Sequence, residues 1–363
     1  MPDFSIIIVT WNALHHLKTY LPSVWEHSHP QAEILIADNA SADGTAEWVK
    51  ETFPDIRVVT LDQNYGYCGG NNRAAQHAGT DRLIFLNNDV EVTPGWIEPL
   101  REMLDEDPDV AALQPKLRSW SDKEYFEYAG AAGGMLDRYA YPFCRGRIFD
   151  ALERDTGQYD EPSDISWASG AALVIRRELF LEFGGFDETF EFHMEEIDLC
   201  WRLWNRGYRI RYCPDSVVYH LGGGSLPTDS PRKLYYNFRN NLKMILKNCR
   251  TRDLLPRLFI RMVLDGVAFA RSLAGGKLRE CFAILRAHLH FYRSLPGLIS
   301  TRKTLKAART TPDDTPVLRP YSIIWQYFLR GRKFYSKLPD AGYANENQSR
   351  MEQTRQTGKG IQS

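Results

Sequence analysis

The chain has 363 residues, 43% of them hydrophobic, and a formal net charge of -1. At roughly 100–200 residues per domain this fits one large domain, or one domain with an appendage, with ample apolar material for a core. The cysteines at 68, 144, 200, 213, 249 and 281 form no CxxC pair, which argues against a zinc ribbon or thioredoxin-type site and for free thiols in a reducing cytosol.

The opening "MPDFSIIIVT" lacks the positive n-region and cleavage site of a signal peptide, and no window offers the roughly 18 uncharged apolar residues of a membrane span. Charge is unevenly spread. Residues 1–249 carry 24 Lys+Arg against 38 Asp+Glu, whereas residues 250–338 carry 18 against 5. This predicts an acidic body, 1–249, and a basic appendage, 250–338, that seeks an anionic surface.

In chain order, "FSIIIVT" reads as a buried strand and Leu14 to Glu26 as a helix. "EILIAD" is a second strand, and "SADGTAEWVKETF" opens a helix with a capping signal. "IRVVTL" is a third strand and "GGNNRAAQHAG" a loop entering a helix. "RLIFLN" is a fourth strand, "PGWIEPLREML" a helix with Pro in its first turn, and "VAALQP" a fifth strand. Apolar strands alternating with helices predict an α/β fold with a mostly parallel, Rossmann-like sheet flanked by helices.

Residues 120–165 read as loops and short strands over one side of that sheet. "SWASGAALVIRRELFLEFGGF" then gives a turn, a strand, a helix and a glycine turn, "HMEEIDLCWRLWNRGY" an amphipathic helix, and "RIRYCP" and "SVVYH" two strands. From 250 onward basic amphipathic helices are expected. In the first, Leu255, Leu258, Phe259, Met262, Gly266, Phe269 and Leu273 share a stripe opposite Arg257, Arg261, Asp265 and Ser272. Such helices suit a membrane surface, or packing on the body or a partner. The polar tail, 339–363, is expected to be disordered.

Ligands of such sheets bind beyond the carboxyl ends of the strands. There the sequence places Thr10, Trp11 and Asn12; Asp38, Asn39, Ser41 and Asp43; Asn64, Gly70, Asn71 and Asn72; and Asn87, Asn88 and Asp89. One such cluster is ordinarily a turn or a helix cap. Four at one edge ask for a ligand. Asp38 and Asn39 suit ribose hydroxyls or a base edge, and glycines allow close backbone approach to a diphosphate. "GYCGG" is not GxGxxG, and no GxxxxGK[ST] occurs, which disfavours dinucleotide and P-loop sites. Asp89 offers the oxygen that Mg²⁺ or Mn²⁺ prefers when bridging to phosphates.

In "FHMEEIDLCWRL" the adjacent Glu195 and Glu196 suit a general base, because crowding and partial burial raise a carboxylate pKa. Asp198 and Arg202, spaced i and i+4, suit a helix salt bridge. His193 reads as a wall residue. His220, at a strand end before three glycines, is a structural histidine, a metal ligand or a phosphate contact.

These stretches resemble the family 2 glycosyltransferases of GT-A fold, and within them the rhamnosyltransferase-like branch that builds bacterial surface polysaccharides. The resemblance covers about residues 4–248 and rests on "SIIIVTWN", "IADNASADGT", "NYGYCGGNN", "FLNNDVEVTPGW", "ASGAALVIRRELFLEFGGFDETF", "EEIDLCWRLWNRGYRIRYCPDSVVYH" and "YYNFRNN", in the family's order. It implies a nucleotide-sugar pocket at Thr10, Asn12, Asp38 and Asn39, to which Asn64, Gly70, Asn71 and Asn88 are added. It implies a DXD-type site for Mg²⁺ or Mn²⁺ at Asn87–Asn88–Asp89, with Asp89 the foremost ligand and His220 completing it. Asn87 stands where the family more often has Asp, and Glu196 where it more often has an Asp base. Arg239 is implied to face the diphosphate.

The implied reaction inverts the anomeric carbon, moving a sugar, foremost rhamnose from dTDP-rhamnose, onto a saccharide or lipid-linked saccharide. The alternatives are a UDP-hexose donor, or a nucleotide-sugar-binding protein without turnover. A nucleotidyltransferase would need a glycine-rich basic loop after the first strand, which "VTWNALHHL" lacks. No nucleic-acid partner is expected, because the basic segment's stripe is apolar. The protein is expected in the cytoplasm, peripheral on the inner face of the membrane, where anionic lipid would draw the basic helices.

Overall fold

The computed structural model describes residues 2–222, 230–311 and 317–339. The expectation of a disordered tail falls outside the described residues apart from Pro339.

The first half alternates as expected. It runs β1 (Phe4–Thr10), α1 (Leu14–Ser28), β2 (Ala32–Asp38), α2 (Thr45–Thr52), β3 (Arg57–Thr60), α3 (Gly66–Ala75), β4 (Arg82–Leu86), β5 (Val90–Val92), α4 (Glu98–Glu106) and β6 (Val110–Ser119). A small sheet follows, of β7 (Gly134–Leu136), β8 (Pro142–Cys144), β9 (Arg147–Ile148) and β10 (Ala151–Leu152). Then come β11 (Ser163–Asp164), β12 (Ala172–Arg176), α5 (Arg177–Glu182), α6 (Glu195–Asn205), β13 (Arg209–His220), α7 (Pro231–Asn248), α8 (Thr251–Ala274) and α9 (Leu278–Ala308).

The main sheet has the order β11-β13-β6-β12-β4-β1-β2-β3, with β5 beside β13. β1 pairs in parallel with β2 and β4, and β2 with β3. β12 enters antiparallel between β4 and β6. The period of two sorts the apolar runs onto two faces. Ile7, Leu35, Leu83 and Phe85 join the core under α3, α5 and α6. Ile6, Ile8, Ile34, Ile36 and Ile84 join the opposite core under α1, α2 and α4. Phe85 is fully buried, its ring 4.6 Å from that of Phe180 and 5.1 Å from that of Phe186. Burying such a side chain is worth about 1.5–3 kcal/mol.

Two expectations need correction. α4 starts at Glu98, because residues 93–97 form a turn that buries Trp96, whose indole N–H donates to Ser28 Oγ at 3.1 Å. The two strands expected over 209–220 are one, broken only by a register shift between Cys213 and Val217. The segment beyond 249 also packs on the body. Val317, Leu318, Tyr321 and Ile323 return to the body's core, and Ile323 N–H donates to Asp137 Oδ2 at 2.9 Å.

α8 is turned about its axis relative to a core helix. Arg261, Asp265 and Ser272 are buried, while Leu255 and Phe259 are 75% and 69% exposed. A buried network sets this orientation. Arg261 Nε donates to Asp265 Oδ1 at 3.0 Å, His288 Nε2 of α9 lies 3.1 Å from Asp265 Oδ2, and the Arg261 guanidinium sits 3.4 Å over the Tyr141 ring. Among the described residues no helix is long and apolar enough to cross a membrane.

Candidate active site

The strand register lines up the site. Thr10 pairs with Asp38 and Asp38 with Thr60, so three loops leave the sheet from one line. The first two loops are tied together. Asn12 N–H donates to Ser41 Oγ at 2.9 Å, and Asn12 Oδ1 accepts from Ala42 N–H at 2.8 Å. Asp43 Oδ2 accepts from Leu14 N–H at 3.0 Å, capping α1 from across the gap. Asp38 is buried and accepts from Ser41 N–H at 3.2 Å. Trp11 projects beside them, 53% exposed. Thr10 Oγ1 accepts from Asn88 Nδ2 at 3.3 Å, which joins the first loop to the fourth.

At the end of β4, Asp89 meets His220, the last residue of β13. The strands bring them together, because β13 pairs with β5 immediately after Asp89. His220 Nε2 lies 3.1 Å from Asp89 Oδ1, and its Nδ1 3.3 Å from Glu127 Oε1. All three residues are buried. Burial would lower the imidazole pKa, but the Glu127 charge and bonds to both carboxylates push it up to about 10. Burial likewise opposes ionisation of Asp89, yet His220, with help from His16, holds its carboxyl below the usual range.

Glu127 was not singled out from sequence. Its N–H donates to Leu117 O at 3.0 Å, so the hairpin after β6 delivers it to the His220 ring. No local motif in "EYFEYAG" signals that return.

The donor set fits a divalent cation. Ligands at about 2.1 Å on adjacent corners of an octahedron lie about 3 Å apart, close to the separation of Asp89 Oδ1 and His220 Nε2. Glu127, beside Nδ1, would then fix the orientation of the imidazole and raise its basicity toward the ion. Glu127 faces away from Nε2, and among the described residues no three His, Cys, Asp or Glu groups converge as ligands. Two protein ligands leave the remaining positions to phosphate oxygens or water. Asn87 does not fit the ligand role, since it turns its Nδ2, not its oxygen, to 3.3 Å from His220 Nε2.

Glu195 and Glu196 begin α6, behind His193 and Met194 in left-handed conformations with φ 64 and 77. Burial pushes Glu196 up to about 7, and burial together with the Glu196 charge raises Glu195 well above the usual carboxylate range. Each has an Oε2 without a hydrogen-bond partner among the described residues. Glu195 is buried and Glu196 half-buried, and burial followed by the charges of both raises the Tyr67 and Cys68 titrations. The Cys144 thiol is pushed up by burial, and the charges of Glu127 and Glu196 add to this. Asp198 is structural as expected. It accepts from Arg202 Nε at 2.9 Å and Lys247 Nζ at 2.8 Å in full burial.

Several expected contacts are turned to the scaffold. Asn39 accepts from Tyr65 N–H at 3.3 Å and donates to Gly66 O at 3.1 Å, pinning the entry to α3. Asn64 is exposed and accepts from Gly66 N–H at 2.8 Å, and Asn71 donates back to Tyr67 O at 3.0 Å. Gly70 serves packing rather than a diphosphate, because a Cβ there would lie 2.8 Å from Val9 Cγ1 and 2.9 Å from Asn39 Nδ2. Arg239 too is turned to the scaffold. It is buried and donates to Glu191, Tyr235, Asn240 and the carbonyls of Thr189 and Phe190.

This sheet, with a polar edge and an acidic pair beyond it, is that of the GT-A class of glycosyltransferases. The fold is similar to S. aureus TarS 1-349 in complex with UDP-GlcNAc, with a TM-score of 0.55 at 17% identity over 84% of this chain and 87% of that one. It is also similar to GalNAc-T7 with UDP, GalNAc and Mn²⁺, with a TM-score of 0.53 at 21% identity over 68% of this chain and 48% of that one. Residues 5–183 match the family described as Glycosyl transferase family 2. The chain is similar to the N-acetylglucosaminyl-diphospho-decaprenol L-rhamnosyltransferase of Mycobacterium tuberculosis, 28% identical over 229 residues, which is 59% of this chain and 75% of the relative. Residues 5–183 form a glycosyl transferase family 2 domain, the chain resembles the family's rhamnosyltransferase-like branch, and it is an enzyme.

Proposed function

We propose that the protein is an inverting transferase that moves rhamnose from dTDP-rhamnose onto a lipid-linked saccharide in bacterial surface polysaccharide synthesis. The observation that carries the mechanism is the adjacent Glu195–Glu196 pair at the start of α6, each with an Oε2 that has no hydrogen-bond partner among the described residues. Glu196 is the more accessible of the two and its raised pKa makes it a base near neutral pH. It takes the proton of an acceptor hydroxyl, whose oxygen attacks the anomeric carbon from the face opposite the nucleotide. The bond from that carbon to the diphosphate breaks, and its electron pair leaves with the diphosphate. One displacement inverts the configuration.

Asp89 and His220 would hold Mg²⁺ or Mn²⁺, which, when bound, neutralises charge on the leaving diphosphate. Asp38 faces the ribose, Thr10 and Asn12 shape the pocket, and the exposed Trp11 indole offers a stacking face to the base. The rhamnose and the lipid-linked acceptor rest on the similarity to the M. tuberculosis enzyme, whose name carries both. The α8–α9 appendage supports a place on the inner membrane face. It presents Leu255, Phe259, Val263 and Val267 to solvent in a segment rich in Lys and Arg, as an interfacial helix does on anionic lipid.

The test mixes purified protein with dTDP-rhamnose, UDP-glucose, UDP-galactose and GDP-mannose, each with Mn²⁺, Mg²⁺ or EDTA. Thermal shift and nucleoside-diphosphate release are recorded. Selective stabilisation and release with dTDP-rhamnose is the expected result. A response only to a UDP-hexose would replace the donor, and folded protein indifferent to every donor would favour a binder without turnover.

A further inference from the structure

A second site stands away from the strand edge, between the first turns of α7 and the first half of α9. It is a cleft of about 590 Å³, within the size range of small-molecule sites. Arg232, Arg279, Arg286, Tyr235, Tyr236 and Phe282 line it, and its lining holds no carboxylate. Among the described residues none of the three arginines makes a salt bridge with an acid. Arg286 sits 5.2 Å from the Tyr235 ring centroid, and Arg232 5.7 Å from that of Tyr236. Arg232 also donates to the Tyr236 oxygen at 3.5 Å. The carboxylate behind the cleft, Glu191, accepts from Tyr236 and Arg239, both at 2.8 Å, so it is already matched by a buried cation.

Three guanidiniums with no acid in salt-bridge reach among the described residues suit an anion of more than one charge. The guanidinium fork favours phosphate oxygens, which it engages in pairs. The aromatic faces suit a sugar ring beside that anion. The rim identifies the rest of the ligand. Phe282 is 69% exposed and shares the outward stripe of α9 with Leu278, Leu285 and Leu289, all half-exposed. The cleft therefore opens onto the apolar face offered to lipid. On its inner side Tyr236 holds Glu191, four residues before Glu195, through the 2.8 Å bond, so the cleft backs onto the segment that carries the base.

We propose that the α7–α9 cleft binds the diphosphate of a lipid-linked acceptor, with Arg232, Arg279 and Arg286 on the phosphate oxygens, Tyr235 and Tyr236 beside the first sugar, and the hydrocarbon leaving past Phe282. This deepens the proposed function and rests on its lipid-linked acceptor.

The experiment titrates the full chain with farnesyl diphosphate, inorganic pyrophosphate and dTDP by calorimetry, alongside an Arg279→Gln/Arg286→Gln variant. Both arginines are exposed and outside any salt bridge among the described residues, so the fold should persist, and an unchanged melting curve checks this. Farnesyl diphosphate should bind more tightly than pyrophosphate, and the variant should lose about tenfold or more of that affinity while binding dTDP as before. Equal farnesyl diphosphate affinity in the variant overturns the site. Pyrophosphate binding as tightly as farnesyl diphosphate overturns the lipid and leaves a free-anion site. Displacement of farnesyl diphosphate by dTDP would place the probe at the strand edge and also overturn the proposal. A chain that binds farnesyl diphosphate in this way but no nucleotide would instead break the donor reading, so the two failures are told apart.

Discussion

The strand edge and the α8–α9 hairpin solve opposite problems with similar residues. At the strand edge polar groups sit where a polar ligand is to come, and the apolar residues of the same strands are buried on both faces. In α8 of the hairpin an Arg–Asp pair lies inside and an apolar stripe outside. Asp265 is buried between Arg261 and His288 while Phe259 stands in solvent. An amphipathic pattern thus fixes that a helix has two faces, and says nothing of which one meets the protein. That depends on whether the neighbouring elements supply apolar surface or matching charge.

Glu196→Gln should have the largest effect on the edge. It keeps the size and removes the base, so transfer should fall about 10²–10⁴-fold, with nucleotide binding nearly intact. Surviving activity would move the base to Glu195. The pH profile has a defined sign. Transfer should rise as the pH passes through about 7, where Glu196 ionises. Stability should run the other way. A folded-state pKa raised above 4.5 means that the folded protein holds this proton more tightly, so the contribution is full below about 4.5 and is lost as the pH rises through 7.

Next in size is the buried charge network beneath the edge. Asp198→Asn leaves Lys247 and Arg202 short of their common partner and should cost about 3–5 kcal/mol in urea unfolding. A cost below about 1 kcal/mol would show that the network does not hold α6 to α7. Phe259→Asp should then separate the two regions. Sedimentation with anionic vesicles should weaken about tenfold or more, at an unchanged melting temperature, because the side chain packs on nothing internal. A variant that still sediments with vesicles would detach the stripe from membrane binding. The smallest effect is Trp11→Ala. Base stacking on an aromatic ring is worth about 1–3 kcal/mol, so nucleoside-diphosphate affinity should fall about tenfold, and an unchanged affinity would remove the indole from the pocket.

Much of the site was legible because strand ends are. Thr10, Asp38 and Asp89 follow apolar runs that can only be buried strands, and parallel strands put such residues at one edge. Glu195 and Glu196 were legible as adjacent acids at the start of an amphipathic helix. Asn39, Gly70 and Arg239 have scaffold partners that the sequence did not signal, because an amide, a glycine or a guanidinium near a ligand site is equally useful for fixing a turn, allowing a helix to approach, or anchoring a loop. Only the partners distinguish these uses.

The sequence by itself determined the alternating strands and helices, the two-faced sheet and the polar edge, since these follow from local periodicity and strand direction. Tertiary structure alone decided three things. Glu127 reaches His220 through a long return from β6, α8 turns its charges inward onto Tyr141 and His288, and three arginines from α7 and α9 gather around one cleft. Each joins residues far apart in the chain, and no local pattern encodes which distant side chain will supply the matching charge.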